Sequence, residues 1–95
     1  MELKNVLVVF TNPTTKEYKS TLDTVKDILN KYGINFRLAN RDRLNKNIFR
    51  GHDLIIAVGG DGTFLRAAQF IKNQILFGVN ADIKNKEGFF MKQKS

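Results

Sequence analysis

Gly59-Gly60-Asp61-Gly62-Thr63 is the stretch of this sequence whose residue types and spacing point most directly to chemistry. It follows the apolar run Leu54-Ile55-Ile56-Ala57-Val58 without a break. Three glycines within four positions permit positive φ angles and let a ligand approach the backbone where side chains would otherwise stand in the way. Phosphate is the ligand such a loop suits best. N–H groups at the start of a following helix, near Thr63 and Phe64, would aim donors and the positive end of the helix dipole at an anion.

Asp61 is the discordant member, because a carboxylate repels phosphate unless a cation or a removable proton gives it a purpose. It could hold Mg²⁺ through the ion's hydrate shell, or accept the proton of a hydroxyl attacking a γ-phosphate, since phosphoryl transfer depends mainly on positioning and charge neutralisation. The alternative is structural: a helix N-cap whose carboxylate bonds backbone N–H groups. Arg66, about one turn further on, could offer its guanidinium to a phosphate or carboxylate. Spacing alone fits an exposed helix arginine equally well. No Lys-Ser/Thr pair follows the glycines and Gly-x-Gly-x-x-Gly is not matched, which excludes the Walker A loop and the dinucleotide fingerprint.

The elements that must position this loop alternate. Residues 6–10, Val-Leu-Val-Val-Phe, form an apolar, β-branched run closed by Asn12-Pro13 and read as a strand buried on both faces. Tyr18, Leu22, Val25, Ile28, Leu29 and Tyr32 then recur at helical spacing, and Gly33 is placed to end that helix. Residues 34–38 give a short second strand. The polar stretch 39–50 holds only Leu44, Ile48 and Phe49 to anchor a loop or a weak helix. Residues 53–58 are the clearest strand, 64–71 read as a helix with Phe64, Ala67, Ala68 and Ile71 on one side, and 75–79 make a last strand. Such alternation predicts an α/β fold, a three-layer parallel sheet with right-handed crossovers, in which ligands bind beyond the carboxyl ends of the strands.

Composition bounds the partners. Sixteen Lys plus Arg against nine Asp plus Glu leave a net charge of +7 over 95 residues, a field that attracts phosphates. The charges are scattered (Arg37, Arg41, Arg43, Lys46 and Arg50 among them) and read mostly as a solvated surface. Without an aromatic-basic face, specific nucleic-acid binding is not expected. The sequence has no cysteine and one histidine, His52, so neither disulfides nor a metal site of Cys and His ligands can form. No apolar stretch approaches a membrane span and the short N-terminal apolar run is not a signal peptide, so a cytoplasmic protein without membrane partners is expected.

Leu54-Ile55-Ile56-Ala57-Val58-Gly59-Gly60-Asp61-Gly62-Thr63-Phe64-Leu65-Arg66-Ala67-Ala68, followed by Phe77-Gly78-Val79-Asn80, resembles the N-terminal domain of the NAD kinase family. Gly-Gly-Asp-Gly-Thr alone is shared with diacylglycerol and sphingosine kinases, which typically continue Asn-Glu-Val, whereas Phe64-Leu65-Arg66-Ala67-Ala68 is similar to the NAD kinase continuation. Gly78-Val79-Asn80-Ala81-Asp82 with Glu87-Gly88 resembles the mitochondrial-type branch. The resemblance follows the element order of the whole chain and is strongest over residues 53–90.

The resemblance implies a Rossmann-like domain and transfer of the γ-phosphoryl group of ATP, or of polyphosphate in some members, to the ribose 2′-hydroxyl of NAD, with Mg²⁺ or another divalent cation. By the same resemblance Asp61 orients or deprotonates that hydroxyl. Gly62 lines the NAD site, Thr63 helps hold donor phosphate, Arg66 contacts the dinucleotide and Phe64 packs beside it. Gly59, Gly60 and Asn80 complete the implied binding set. Family members continue into a β-rich C-terminal domain that grips NAD and forms homo-oligomers, so residues 1–95 are expected to be a single N-terminal domain whose other half is missing or carried by a separate chain. Lys92-Gln93-Lys94-Ser95 reads as a frayed tail, and Gly88-Phe89-Phe90-Met91 as a docking edge or a segment folded back onto the sheet. Two other functions compete: a non-catalytic nucleotide- or polyphosphate-binding module, which would have no need of Asp61, and a lipid kinase of related fold, which would need a lipid groove.

Overall fold

The computed structural model describes residues 5–12 and 15–81 and the backbone of the strand Phe90–Gln93. Four strands run parallel: β1 (Asn5–Phe10), β2 (Asn35–Asn40), β3 (Leu54–Gly59) and β4 (Ile75–Asn80). Helix α1 (Lys16–Lys31) joins β1 to β2. A 3-10 turn (Arg41–Arg43) and the short α2 (Lys46–Phe49) lead to β3, and α3 (Asp61–Ala68) joins β3 to β4. The strand β5 (Phe90–Gln93) lies antiparallel beside β4, and the sheet order is β2-β1-β3-β4-β5. The chain moves outward from β1 to β2, then returns past β1 and proceeds in the opposite direction. The connections therefore reverse between β1 and β3, and the crevice outside the carboxyl ends of those two strands is the place where sheets of this kind bind ligands.

The sequence puts β1 and β3 in the middle. Val6, Leu7, Val8 and Val9 have no solvent exposure, and Ile55, Ile56, Ala57 and Val58 are buried, because alternate residues of each strand serve two different cores. Val6, Val8, Ile56, Val58 and Val79 pack with Tyr18, Leu22 and Leu29 of α1 on one face. Leu7, Val9, Ile55, Ala57 and Leu76 pack with Phe49 of α2 and Ala67 of α3 on the other. Helices on both faces give the three layers expected from the alternation of elements. The stretch 39–50 resolves into the 3-10 turn and α2, with Leu44, Ile48 and Phe49 as its apolar anchors.

Helix α1 begins where Thr15 Oγ1 accepts the Tyr18 N–H (3.0 Å) and ends in a glycine cap. Gly33, at φ +66°, donates to the Asn30 carbonyl while Ile34 donates to that of Leu29, a closure that requires a left-handed residue at this position. The buried stripe of the helix is narrower than its spacing suggests. Ile28 and Tyr32 are 50% and 69% exposed, since Ile28 lies about 100° around the helix from Leu29 and Tyr32 is already the C-cap.

Element boundaries also differ, β1 and β4 by a single residue at one end and β3 by one at each. The second strand is Asn35–Asn40, two residues beyond 38, because its pairing with β1 continues to the Phe10–Asn40 register. The helix expected over 64–71 is Asp61–Ala68, with Phe70 and Ile71 closing its end through bonds to Ala67 and Ala68. Lys92 and Gln93 are not a frayed tail: their backbones pair with Phe77 and Leu76, which places the terminal segment on the sheet edge. Pro13, Asp82, Glu87, Gly88 and Phe89 lie outside the described residues.

Candidate active site

Gly59 closes β3 at the switch point, level with Asn80 at the end of β4, and its carbonyl accepts the Ala81 N–H (3.1 Å). Its φ of +155° belongs to glycine, and a Cβ there would lie 2.7 Å from Thr63 Oγ1. Thr63, 1% exposed, thus presses its side chain onto bare backbone and brings the first turn of α3 against the end of the strand. Gly59 is the one glycine of the loop with a positive φ. Gly60 is extended (φ −100°, ψ −164°) and serves as the N-cap.

The structural alternative for Asp61, a helix N-cap, does not hold: the cap is Gly60, one residue earlier, with no side-chain bond. Asp61 is the first residue of α3 and exposed, where a negative charge is favourable beside the helix N-terminus. Phe64 makes the first intrahelical bond, to the Gly60 carbonyl (3.2 Å). The N–H groups of Asp61, Gly62 and Thr63 have no preceding turn to bond and form the positive end of the helix. Phe64 itself is half-buried against the core beneath α3. The structure thus gathers Gly59, Gly60, Asp61, Gly62, Thr63 and Asn80 at the carboxyl ends of β3 and β4.

Arg41, which the sequence gives no reason to separate from the other scattered cations, belongs to the same place. It follows β2, and its Nη1 donates to Thr63 Oγ1 (3.2 Å) and lies 3.5 Å from the position a Cβ on Gly62 would take. Its Nε is buried without a hydrogen-bond partner among the described residues. Asp42 receives Arg66 Nη1 at 2.9 Å and stands 3.9 Å from the Arg41 Nε, so one carboxylate holds two guanidinium groups beside the loop. Arg66 remains half exposed on its paired side. The available signal for Arg41 was its position immediately after a strand, and ending that strand at residue 38 hid it.

Tyr18 ties the crevice together from below. Its hydroxyl accepts the Thr11 N–H (2.8 Å) and donates to the Val58 carbonyl (2.7 Å), joining α1 to the ends of β1 and β3. Burial raises its pKa above the ordinary 10.0, with the Thr11 N–H and the Arg41 charge acting in the opposite direction. The unfolded phenol loses its proton near pH 10 while the folded one keeps it. The stability Tyr18 contributes is therefore fully present below pH 10 and is lost as pH rises beyond it. Tyr18→Phe is expected to destabilise the fold by about 1 to 3 kcal/mol and to flatten that alkaline decline, as urea unfolding between neutral pH and pH 11 would measure.

A mostly parallel sheet with a reversed connection, a glycine-bent strand end and a helix N-terminus flanked by arginine define an α/β domain whose switch-point crevice is electrostatically favourable to an anion. Residues 4–85 match the family model of the ATP-NAD kinase N-terminal domain, and the chain belongs to that family. It is 38% identical over 66 residues to the probable NADH kinase of Oryza sativa subsp. japonica, covering 68% of this chain and 20% of that protein. It is 37% identical over 68 residues to the NADH kinase of Arabidopsis thaliana, covering 70% and 21%. With the mitochondrial NAD kinase 2 of Rattus norvegicus identity is 36% over 76 residues, covering 78% and 17%. The chain thus spans about a fifth of the length of these relatives.

Proposed function

We propose that this chain is the phosphate-handling half of an enzyme that transfers the γ-phosphoryl group of ATP to the ribose 2′-hydroxyl of NAD, giving NADP and ADP. The observation that carries this reading is the exposed carboxylate of Asp61 on the first residue of α3, directly after Gly59-Gly60 at the switch point, in a chain of the ATP-NAD kinase family. As the 2′-oxygen attacks the γ-phosphorus, the bond from that phosphorus to the bridging oxygen of ADP breaks and Asp61 takes the hydroxyl proton. Donors at the start of α3 and the Arg41 guanidinium stabilise the phosphate charge, and Asp42 keeps Arg66 beside the same loop.

Mg²⁺ or another divalent cation fits this chemistry as an ion carried by the nucleotide phosphates. Asp61, exposed at the start of α3, would be the protein carboxylate beside the ion. When bound it supplies neutralising charge to the transferring group. The β-rich half that grips NAD, on the same or a separate chain, completes the site and carries the homo-oligomer contacts.

The test is NADP formation from ATP, NAD and Mg²⁺ by the enzyme at its full natural length. Turnover is expected; a full-length protein that binds both nucleotides without making NADP would leave only a binding module. Arg41→Met is expected to weaken ATP binding about 10- to 100-fold, the worth of a charge-assisted phosphate contact, with the fold intact. Unchanged ATP affinity by calorimetry would place Arg41 outside the phosphate site.

A further inference from the structure

At the amino ends of β1 and β2, the opposite end of the sheet from the glycine loop, lies a small cleft that the phosphoryl chemistry does not use. It measures about 140 Å³ and is lined by Asn5, Val6, Asn35, Phe36, Arg37 and His52. The β1–β2 register pairs Asn5 with Asn35 and Leu7 with Arg37, so Asn5, Asn35 and Arg37 share the sheet face that α2 and α3 cover. That cover stops partway along β2: Ala39 is buried, whereas Arg37 and Asn35 are exposed. His52 reaches the same corner from the turn after α2. Gly51 makes that turn at φ +79°, the His52 N–H donates to the Phe49 carbonyl (3.4 Å), and the next N–H, of Asp53, donates to the Asn5 carbonyl (2.9 Å).

The side chains here are uncommitted. Neither the Arg37 guanidinium nor the amides of Asn5 and Asn35 have a hydrogen bond or ion pair among the described residues. His52 Nδ1 is buried, also without a partner among them. A proton on that nitrogen would be a buried donor with no acceptor, so the neutral ring carries its proton on Nε2. A guanidinium, an imidazole N–H and two amides thus meet at one cleft, and among the described residues no carboxylate lines it. We propose that this cleft binds phosphate, as the free ion or as the terminal group of a monoester. The arginine offers two parallel donors to two phosphate oxygens, and the Nε2–H and amides serve the others. Size selects the same class of occupant. The volume is about five waters' share of liquid, well below the roughly 300 Å³ at which sites for larger molecules begin. The site is also separate from the glycine loop: β3 runs from beside His52 to Gly59, a span of roughly 17 Å.

An NMR titration of this chain with inorganic phosphate and with methyl phosphate, at fixed pH and ionic strength, tests the site through the His52 ring and the side-chain amides of Asn5 and Asn35. Saturable shifts of all three are expected, and the tighter ligand assigns the site to the free ion or to a monoester. Arg37→Gln is expected to weaken the binding read at His52 about tenfold, while the response of the Gly60 to Phe64 amides stays unchanged. Arg37 is exposed, so this variant keeps the fold. His52→Asn, read at the two amides, is a second test with an expected loss of about fivefold. Signals of His52, Asn5 and Asn35 that stay unmoved by both ligands would overturn the proposal, as would a response that Arg37→Gln leaves intact. A glycine loop that stays silent while the cleft saturates would count against the loop and support the cleft, so the two readings fail separately.

Discussion

Asp61→Asn is expected to lower NADP formation by the full-length enzyme about 10²- to 10⁴-fold, the usual contribution of a positioned general base. Nucleotide affinity should stay within about threefold, because the substitution keeps size and polarity and removes only the proton acceptor and a charge that weakly repels phosphate. Asp61 is exposed on the first residue of α3, so folding loses no more than the favourable charge–dipole contact, about 0.3 to 1 kcal/mol. A large loss of turnover with intact binding separates catalysis from simple phosphate holding. Unchanged turnover would sink the base role.

Gly59→Ala is expected to destabilise the domain by about 3 kcal/mol, a large share of the stability of any small fold. Two costs coincide there. The backbone sits at φ +155°, and the new methyl would meet Thr63 Oγ1 at 2.7 Å and Thr63 Cβ at 3.0 Å inside packing that leaves Thr63 1% exposed. Gly60→Ala is the matched control, with negative φ and no heavy atom within 4 Å of the added carbon, and should be nearly neutral to folding. Chemical denaturation of the two variants measures the difference. Equal stabilities would mean that Thr63 does not rest on the strand end as described.

Most of the architecture was legible because it rests on two strong periodic signals. Unbroken apolar runs at residues 6–9 and 54–58 can only be central strands, and Gly33 marks a helix end by a conformation few other residues adopt. What escaped were features decided by pairing and long-range contact. The extension of β2 to Asn40 comes from its register with β1, and the start of α3 at Asp61 comes from Gly60 being extended enough to cap without a side chain. The glycine loop stood out in the sequence, but Arg41, 22 residues from Thr63, did not, since nothing local distinguishes it from a surface arginine. Ile28 matched helical spacing and still faces solvent, because the stripe α1 buries is narrower than its run of apolar residues.

The proposed function requires the glycine loop to be the phosphate site of the chain. A ¹⁵N NMR titration of these 95 residues with ATP and Mg²⁺ tests that directly, by following the amides of Gly60, Asp61, Gly62, Thr63 and Phe64. Saturable shifts centred on those amides and on Arg41 are the expected result. Saturation that leaves them unmoved while amides elsewhere shift would contradict the account.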